Sequence, residues 1–358
     1  MTTYTSILKA LCSAVSVSGT EAKYHSKLIP TLTPLFDRVE TDRLGNLLCY
    51  KNCGKKDAPT LLVDTHFDQI GLMVTAQHEG GFLSVTAIGG LDTRILPATD
   101  VIIHGKRDLF GVVISTPPHL RKVEDKDKLC PVHELLIDCG IVSKAELEEL
   151  APLGTIISFA TPLHELSHGR VTGPSLDNKA CCAAAILAAS QMKKEDMLFD
   201  LVLSLSACEE IGGRGAVTGT YHVNPDMAIV IDVNFAKAPG VDGKESIKMG
   251  GGPSVSLSVL THRKLSKATL VLAKSKEIPC QTIVEVGNLG TNGNQIPLQL
   301  CAIPTVNMSL PLSSMHTAAE VVCEADGQAL ANLLCEMVAN QDIFDIISPY
   351  KAVKGEVK

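Results

Sequence analysis

The stretch Thr60-Leu61-Leu62-Val63-Asp64-Thr65-His66-Phe67-Asp68 decides how this chain is read. Its first four residues form a short apolar run suited to a strand, and the run stops at Asp64. His66 and Asp68 therefore fall at or just past a strand end, where open α/β sheets bind their ligands. Upstream, Leu47-Leu48-Cys49-Tyr50 is a second run of the same kind, with Gly54-Lys55-Lys56-Asp57 as the turn between them. Nearer the N-terminus, Leu8, Leu11 and Val15 fall at helical spacing. Ser18-x-x-Glu21 has the spacing of a capping box, which predicts a helix over residues 20–35.

After Gly173 helices and strands alternate again. Asn178 to Met192 reads as an Ala- and Cys-rich helix, Leu201 to Ala207 and Met227 to Ile231 as strands, and Thr269 to Lys276 as a helix. Thr282 to Val286 and Thr305 to Leu310 read as strands, and Ala325 to Asn340 as a closing helix. This alternation predicts an α/β fold, a mostly parallel sheet flanked by helices. From about 73 to 162 the texture differs: Phe82 to Val85, Val101 to Ile103 and Gly111 to Ile114 are short runs set among glycines, prolines and charges. They predict a β-rich module inserted into one α/β domain, so that 1–72 and 163–358 form the main domain and 73–162 the insert. The charged stretch Arg121 to Lys128 reads as a solvated loop.

At 358 residues the chain suffices for one large domain, or a main domain carrying a smaller one. Hydrophobic residues at 45% against 20% charged exclude a disordered chain. With 32 Lys+Arg against 39 Asp+Glu the net charge is −7, which argues against a nucleic-acid or anionic-membrane surface. Aromatics at 4%, with no Trp, argue against a base- or sugar-stacking platform. No stretch approaches the ~18 apolar residues of a membrane span. The N-terminus lacks the basic region of a signal peptide, so a cytoplasmic location is expected. Twelve scattered cysteines, the adjacent Cys181-Cys182 among them, read as reduced and buried thiols rather than a disulfide framework.

Five places put metal-ligand residue types just beyond predicted strands: His66-x-Asp68, Asp177, Glu209-Glu210, Asp232 and His316. Singly, each has a plainer reading. A histidine near a strand end is commonly packed or solvated, Asp232 suits a turn, and Asp177 is an N-cap candidate. Glu209-Glu210 is different, because two adjacent acids ending an apolar run are costly without a positive partner. Together, two histidines and several carboxylates suit zinc, cobalt or manganese, and two ions are expected if one carboxylate bridges them. One of the paired glutamates can bind metal while the other takes a proton from water. His66-x-Asp68 fits a ligand imidazole held by a nearby carboxylate. The implied reaction is hydrolysis by metal-activated water. Other nucleophiles fit poorly: there is no Gly-x-Ser-x-Gly elbow, Cys181-Cys182 and Cys208 read as packing, and Gly250-Gly251-Gly252-Pro253 reads as a turn near the site.

At these residues the sequence resembles the M42 family of metallo-aminopeptidases. The likeness is carried in order by Ser18-Gly19-x-Glu21, Thr65 to Gly71, Ser115 to Leu120, Leu135 to Asp138, Leu176 to Lys179, Glu209 to Ala216, Ile231 to Val233, Gly290 to Asn292 and Met315 to Glu320. The resemblance implies a zinc-peptidase-like α/β domain with an inserted PDZ-like β-domain used in self-assembly, from dimers to a dodecamer. It implies one metal held by His66, Asp177 and Asp232 and a second by Asp177, Glu210 and His316, with Asp177 bridging. Glu209 matches the general base, and Asp68 the acid that orients His66. The implied substrates are short peptides, shortened from the N-terminus. Gln69, Asn178-Lys179 and Asn292-Gly293 depart from the usual Glu, Asp-Arg and Asp-Ala. They spare the ligands and the base but bear on metal affinity and substrate preference. A related deacylase or carboxypeptidase would share the metals and need a cationic clamp, for which Arg94 and Arg214 are candidates. A non-catalytic scaffold would be expected to have lost part of the site.

Overall fold

The computed structural model describes residues 3–120, 129–241, 243, 246–300 and 302–354. The Arg121–Lys128 stretch read as a loop lies outside the described residues.

Thr60–His66 is a strand with every residue after Thr60 buried. Its alternation faces two ways: Leu61 and Val63 enter one core and Leu62 another, on opposite sides of the sheet. That is why an unbroken apolar run, rather than an alternating one, marks it in the sequence. The sheet has eight strands in the order Arg38–Thr41, Leu47–Lys51, Asp200–Ser206, Thr60–His66, Met227–Phe235, Thr305–Leu312, Ser254–Ser258, Gln281–Glu285. Its four middle strands run parallel. Leu47–Lys51 joins Asp200–Ser206 antiparallel, and Ser254–Ser258 joins Thr305–Leu312 antiparallel, so the sheet is mixed with a parallel centre.

One face is covered by helix Leu176–Gln191, which packs against the helices Tyr4–Cys12 and Glu324–Val338. Small side chains allow this: the run Ala180 to Ala189 is buried throughout, Cys181 and Cys182 included. The opposite face carries helix Arg214–Val223, whose Ala216 packs with Leu48, Leu62, Val202 and Val230. No helix among the described residues is long and apolar enough to cross a membrane. The eleven described cysteines are all free; six are buried, and Cys12, Cys130, Cys139, Cys280 and Cys335 are only half-buried, so the expected burial holds for part of them.

Several local expectations are corrected. The helix expected over 20–35 is a 3-10 turn, Glu21–Tyr24, followed by the helix His25–Leu32. Glu21 caps nothing there: its buried carboxylate accepts the N–H groups of Gly19 (3.0 Å) and Cys208 (2.9 Å). Val15 lies beyond the first helix, which ends at Cys12. Asn340 does not close the chain's last helix. Its side chain accepts the Ile343 N–H at 2.9 Å and so caps a further helix, Gln341–Lys354. The Gly250–Pro253 turn serves a helix rather than the site: Gly250 and Gly252 donate to the Asp326 carboxylate, both at 2.7 Å.

Six strands between Gly71 and Phe159 form a closed barrel, in the order Gly71–Gln77, Phe82–Ile88, Leu136–Asp138, Asp108–Ile114, Asp100–His104, Ile156–Phe159. Leu72, Val74, Leu83, Val85, Val101, Ile103, Val113, Ile137 and Ile157 fill its interior as a core of its own. A small three-stranded sheet, His164–Leu166, Arg170–Gly173 and Glu320–Cys323, pairs Gly173 with Glu320. That pairing draws the start of helix Leu176–Gln191 toward the loop carrying His316.

Candidate metal centre

The parallel register sets the site. Ser206 pairs with His66 on the neighbouring strand, so the chain past Ser206 delivers Glu209 and Glu210 beside His66. The Asp68 carboxylate fixes this junction, accepting the N–H groups of Glu209 at 3.0 Å and Glu210 at 3.1 Å. The same carboxylate lies 3.4 Å from His66 Nδ1, which is also 3.0 Å from the Asp68 carbonyl oxygen. One residue thus holds both the imidazole and the paired glutamates.

Asp177 is buried at the head of helix Leu176–Gln191 with non-helical backbone angles, φ −76° and ψ 105°. It caps nothing. Its Oδ1 lies 3.1 Å from His66 Nε2, and its Oδ2 lies 3.3 Å from His316 Nε2. Asp232 Oδ1 is 3.5 Å from His66 Nε2, and Glu210 Oε2 is 3.4 Å from His316 Nε2. Asp232 sits inside strand Met227–Phe235 rather than after it, because that strand runs on alongside Thr305–Leu312 as far as Phe235. The ligand atoms of His66, Asp177 and Asp232, and those of Asp177, Glu210 and His316, each lie within 4.8 Å of one another and could hold a metal ion. Asp177 belongs to both groups.

The electrostatics call for cations. Burial raises Asp177, but its bonds to His316 and His66 outweigh that and hold it well below the carboxylate range. Burial likewise lowers both imidazoles, and the facing carboxylates reverse it: His66 is held well above its ordinary value and His316 is raised to about 11. Burial, with Asp232, Glu210 and Asp177 nearby, pushes Glu209 up to about 9. Burial also raises Glu210 and Asp232. Among the described residues no Lys or Arg forms an ion pair with any of these acids. Imidazole protons are the only positive charge that these protein groups supply, and hard or borderline divalent ions suit the same donors.

Glu320 ends the Met315 to Glu320 motif, whose sequence alone suggests no role for it. It is buried, and its carboxylate accepts the N–H of Asp177 at 3.0 Å and that of His316 at 2.8 Å. Burial, then Asp177, raises it to about 8. The available signal was an acid heading the apolar run Val321-Val322-Cys323. The departures prove to be one another's partners or find new ones. Buried Lys179 donates to Gln69 Oε1 and to the Ala14 carbonyl, both at 2.7 Å, and burial lowers its amine to about 8. Asn178 donates to the Ile231 carbonyl at 2.9 Å. Asn292 donates to Asp64 Oδ2 at 2.8 Å and to Ser206 Oγ at 3.0 Å. Of the clamp candidates, Arg94 is tied to Asp92 on the surface, and Arg214 is exposed at the start of its helix.

A family model for M42 glutamyl aminopeptidases matches residues 45–333. The chain belongs to the M42 peptidase family. This M42 chain is 32% identical over 324 residues to the lysyl aminopeptidase of Pyrococcus furiosus, covering 89% of itself and 92% of that relative. Among solved structures it is similar to aminopeptidase APDkam598 from the archaeon Desulfurococcus kamchatkensis, at 27% identity and TM-score 0.89, covering 96% of this chain and 97% of that one. It is also similar to the TET1 peptidase of Pyrococcus horikoshii, described as able to assemble into a tetrahedron or a large octahedral shell. That match has 25% identity and TM-score 0.82, covering 94% of this chain and 99% of the other.

Proposed function

We propose that this chain is a two-metal aminopeptidase that removes N-terminal residues from short peptides. The carrying observation is Asp177, whose two carboxylate oxygens face different histidines, His66 and His316, in two separate ligand groups. His66, Asp177 and Asp232 would hold one divalent ion, and Asp177, Glu210 and His316 the other. Zinc or cobalt, with manganese also suited, fits imidazole mixed with carboxylate. Bound, the ions would acidify a water and stabilise negative charge on the peptide carbonyl.

The protein's own groups do the rest. Asp68 fixes the backbone of Glu209 and Glu210 and sets the ring of His66, so both ligand and base are pre-oriented. Glu209 acts as the general base, taking a proton from the attacking water and delivering it to the departing amine. Its carboxyl, raised to about 9 first by burial and then by the acids around it, becomes a competent base when bound cations bring positive charge close to it. Proton transfer is thereby tied to cation occupancy.

The proposal includes the division into a peptidase domain, 1–72 with 163–358, and an assembly insert, 73–162, of PDZ-like kind. Homo-oligomers are supported by the assemblies described for the TET1 relative, and their formation through that insert is part of the proposal. A cytoplasmic setting is supported by the free thiols. Neither clamp candidate for the deacylase alternative belongs to the ligand groups: Arg94 is engaged by Asp92, and Arg214 is exposed at the start of its helix. Leucyl, glutamyl and lysyl anilides, each free and N-acetylated, test the reading: cleavage confined to free amines is expected. Cleavage of the acetylated set alone, or of neither, would refute it.

A further inference from the structure

The inserted barrel reaches the candidate metal centre through two glycines. They follow its strand Phe82–Ile88, which ends beside the site. A Cβ on Gly90 would lie 3.1 Å from His316 Nδ1 and 3.4 Å from His316 Cε1. A Cβ on Gly89 would lie 3.3 Å from Glu210 Oε2 and 2.7 Å from the Ile70 side chain. Gly89 also has a φ of +78°, but Gly90 is outside the left-handed region and is exposed. Backbone conformation therefore does not demand glycine at 90; a Cβ there would instead press on the His316 ring, which would have to give by a few tenths of an ångström. The pressed edge, Nδ1–Cε1, adjoins Nε2, the nitrogen that faces Asp177 and Glu210, so a push there would turn the working atom with the ring.

A second contact points the same way. Ala318, two residues past His316, packs against the barrel core, as does Leu91 just after the glycines. The loop carrying His316 is thus held by the barrel on one side and by Glu320, through its N–H, on the other. His66, Asp177 and Asp232 come instead from strands and a helix of the main sheet.

Resting on the two-metal reading above, we propose that Gly89 and Gly90 are positioning residues through which the barrel sets the His316–Glu210 side of the centre. A divalent ion at His316, Glu210 and Asp177 then depends on how the barrel is seated, and one at His66, Asp177 and Asp232 does not. Domain placement becomes a control on half of the site.

The test is calorimetric titration of zinc into metal-free wild type and Gly90→Ala. Wild type is expected to bind two ions. Gly90→Ala should bind one ion as wild type does and the second about 10–100-fold more weakly, with the thermal midpoint of the metal-free chain unchanged. Two unaltered binding events in the variant would overturn the proposal. So would a lowered midpoint with both events weakened, which would make Gly90 a folding residue. In a His316→Ala background, where the ring is gone, Gly90→Ala should alter neither the midpoint nor the remaining event, and any change there also overturns the proposal. Fewer than two ions in wild type would instead defeat the two-metal reading itself.

Discussion

The buried Glu320 carboxylate accepts the backbone N–H of Asp177 at 3.0 Å. Its other oxygen accepts from His316, so a residue that is in neither ligand group fixes the main chain of two that are. In Glu320→Gln one acceptor becomes an amide donor, which leaves a buried N–H without its partner. Divalent-ion affinity should fall about 10–100-fold in equilibrium dialysis. An affinity equal to wild type would remove Glu320 from the support of the site.

Asn292 and Asp64 make a pH-dependent prediction. Burial raises Asp64 from its ordinary value to about 6 against the hydrogen bonds of Asn292 and Ser206. A raised folded-state value means the folded chain holds its proton longer than the unfolded one. This contribution to stability is full below about pH 4 and is lost as pH rises toward 6, at roughly 1.4 kcal/mol per unit. In Asn292→Asp a second carboxyl would face the first, so the loss should deepen and extend above pH 6. Urea denaturation from pH 5 to 8 measures it, and parallel curves for wild type and variant would contradict the account.

Glu209→Gln preserves shape and removes the proton acceptor. Metal content should be retained, with turnover down by about 10²-fold or more. Near-normal turnover would remove Glu209 as the base.

The Asp326 cradle is a prediction about the fold. Its carboxylate accepts two glycine N–H groups at the head of helix Glu324–Val338, so Asp326→Ala should cost about 2–3 kcal/mol in denaturant. A change below about 0.5 kcal/mol would show that water replaces the carboxylate there.

The parts of the fold legible in the sequence are those set by burial. The runs at Thr60, Leu201 and Met227 are buried on both faces, so a largely apolar stretch marks them, whereas Thr305–Leu312, equally buried, alternates Val306, Met308, Leu310 and Leu312 with the small polar Thr305, Asn307 and Ser309. Gln341–Lys354 was not legible, because Asn340 reads equally as a stop or a cap until its bond to Ile343 is seen. The Glu21 capping box failed for a related reason: the carboxylate takes the N–H of Gly19 rather than that of Ser18, and shares itself with Cys208, distant in sequence. At the candidate site, the residue types and their strand-end positions were readable for His66, Asp177, Glu209, Glu210 and His316. The roles of Glu320, Gly89 and Gly90 were not, since each acts on backbone or ring across the fold and leaves no spacing.

The central claim is that Asp177 is shared between two ion sites. Counting divalent ions per chain by elemental analysis, after metal stripping, reloading and gel filtration, tests it most directly. The account predicts two ions in wild type and neither retained in Asp177→Ala. One or two ions retained by Asp177→Ala, at wild-type affinity, would contradict it.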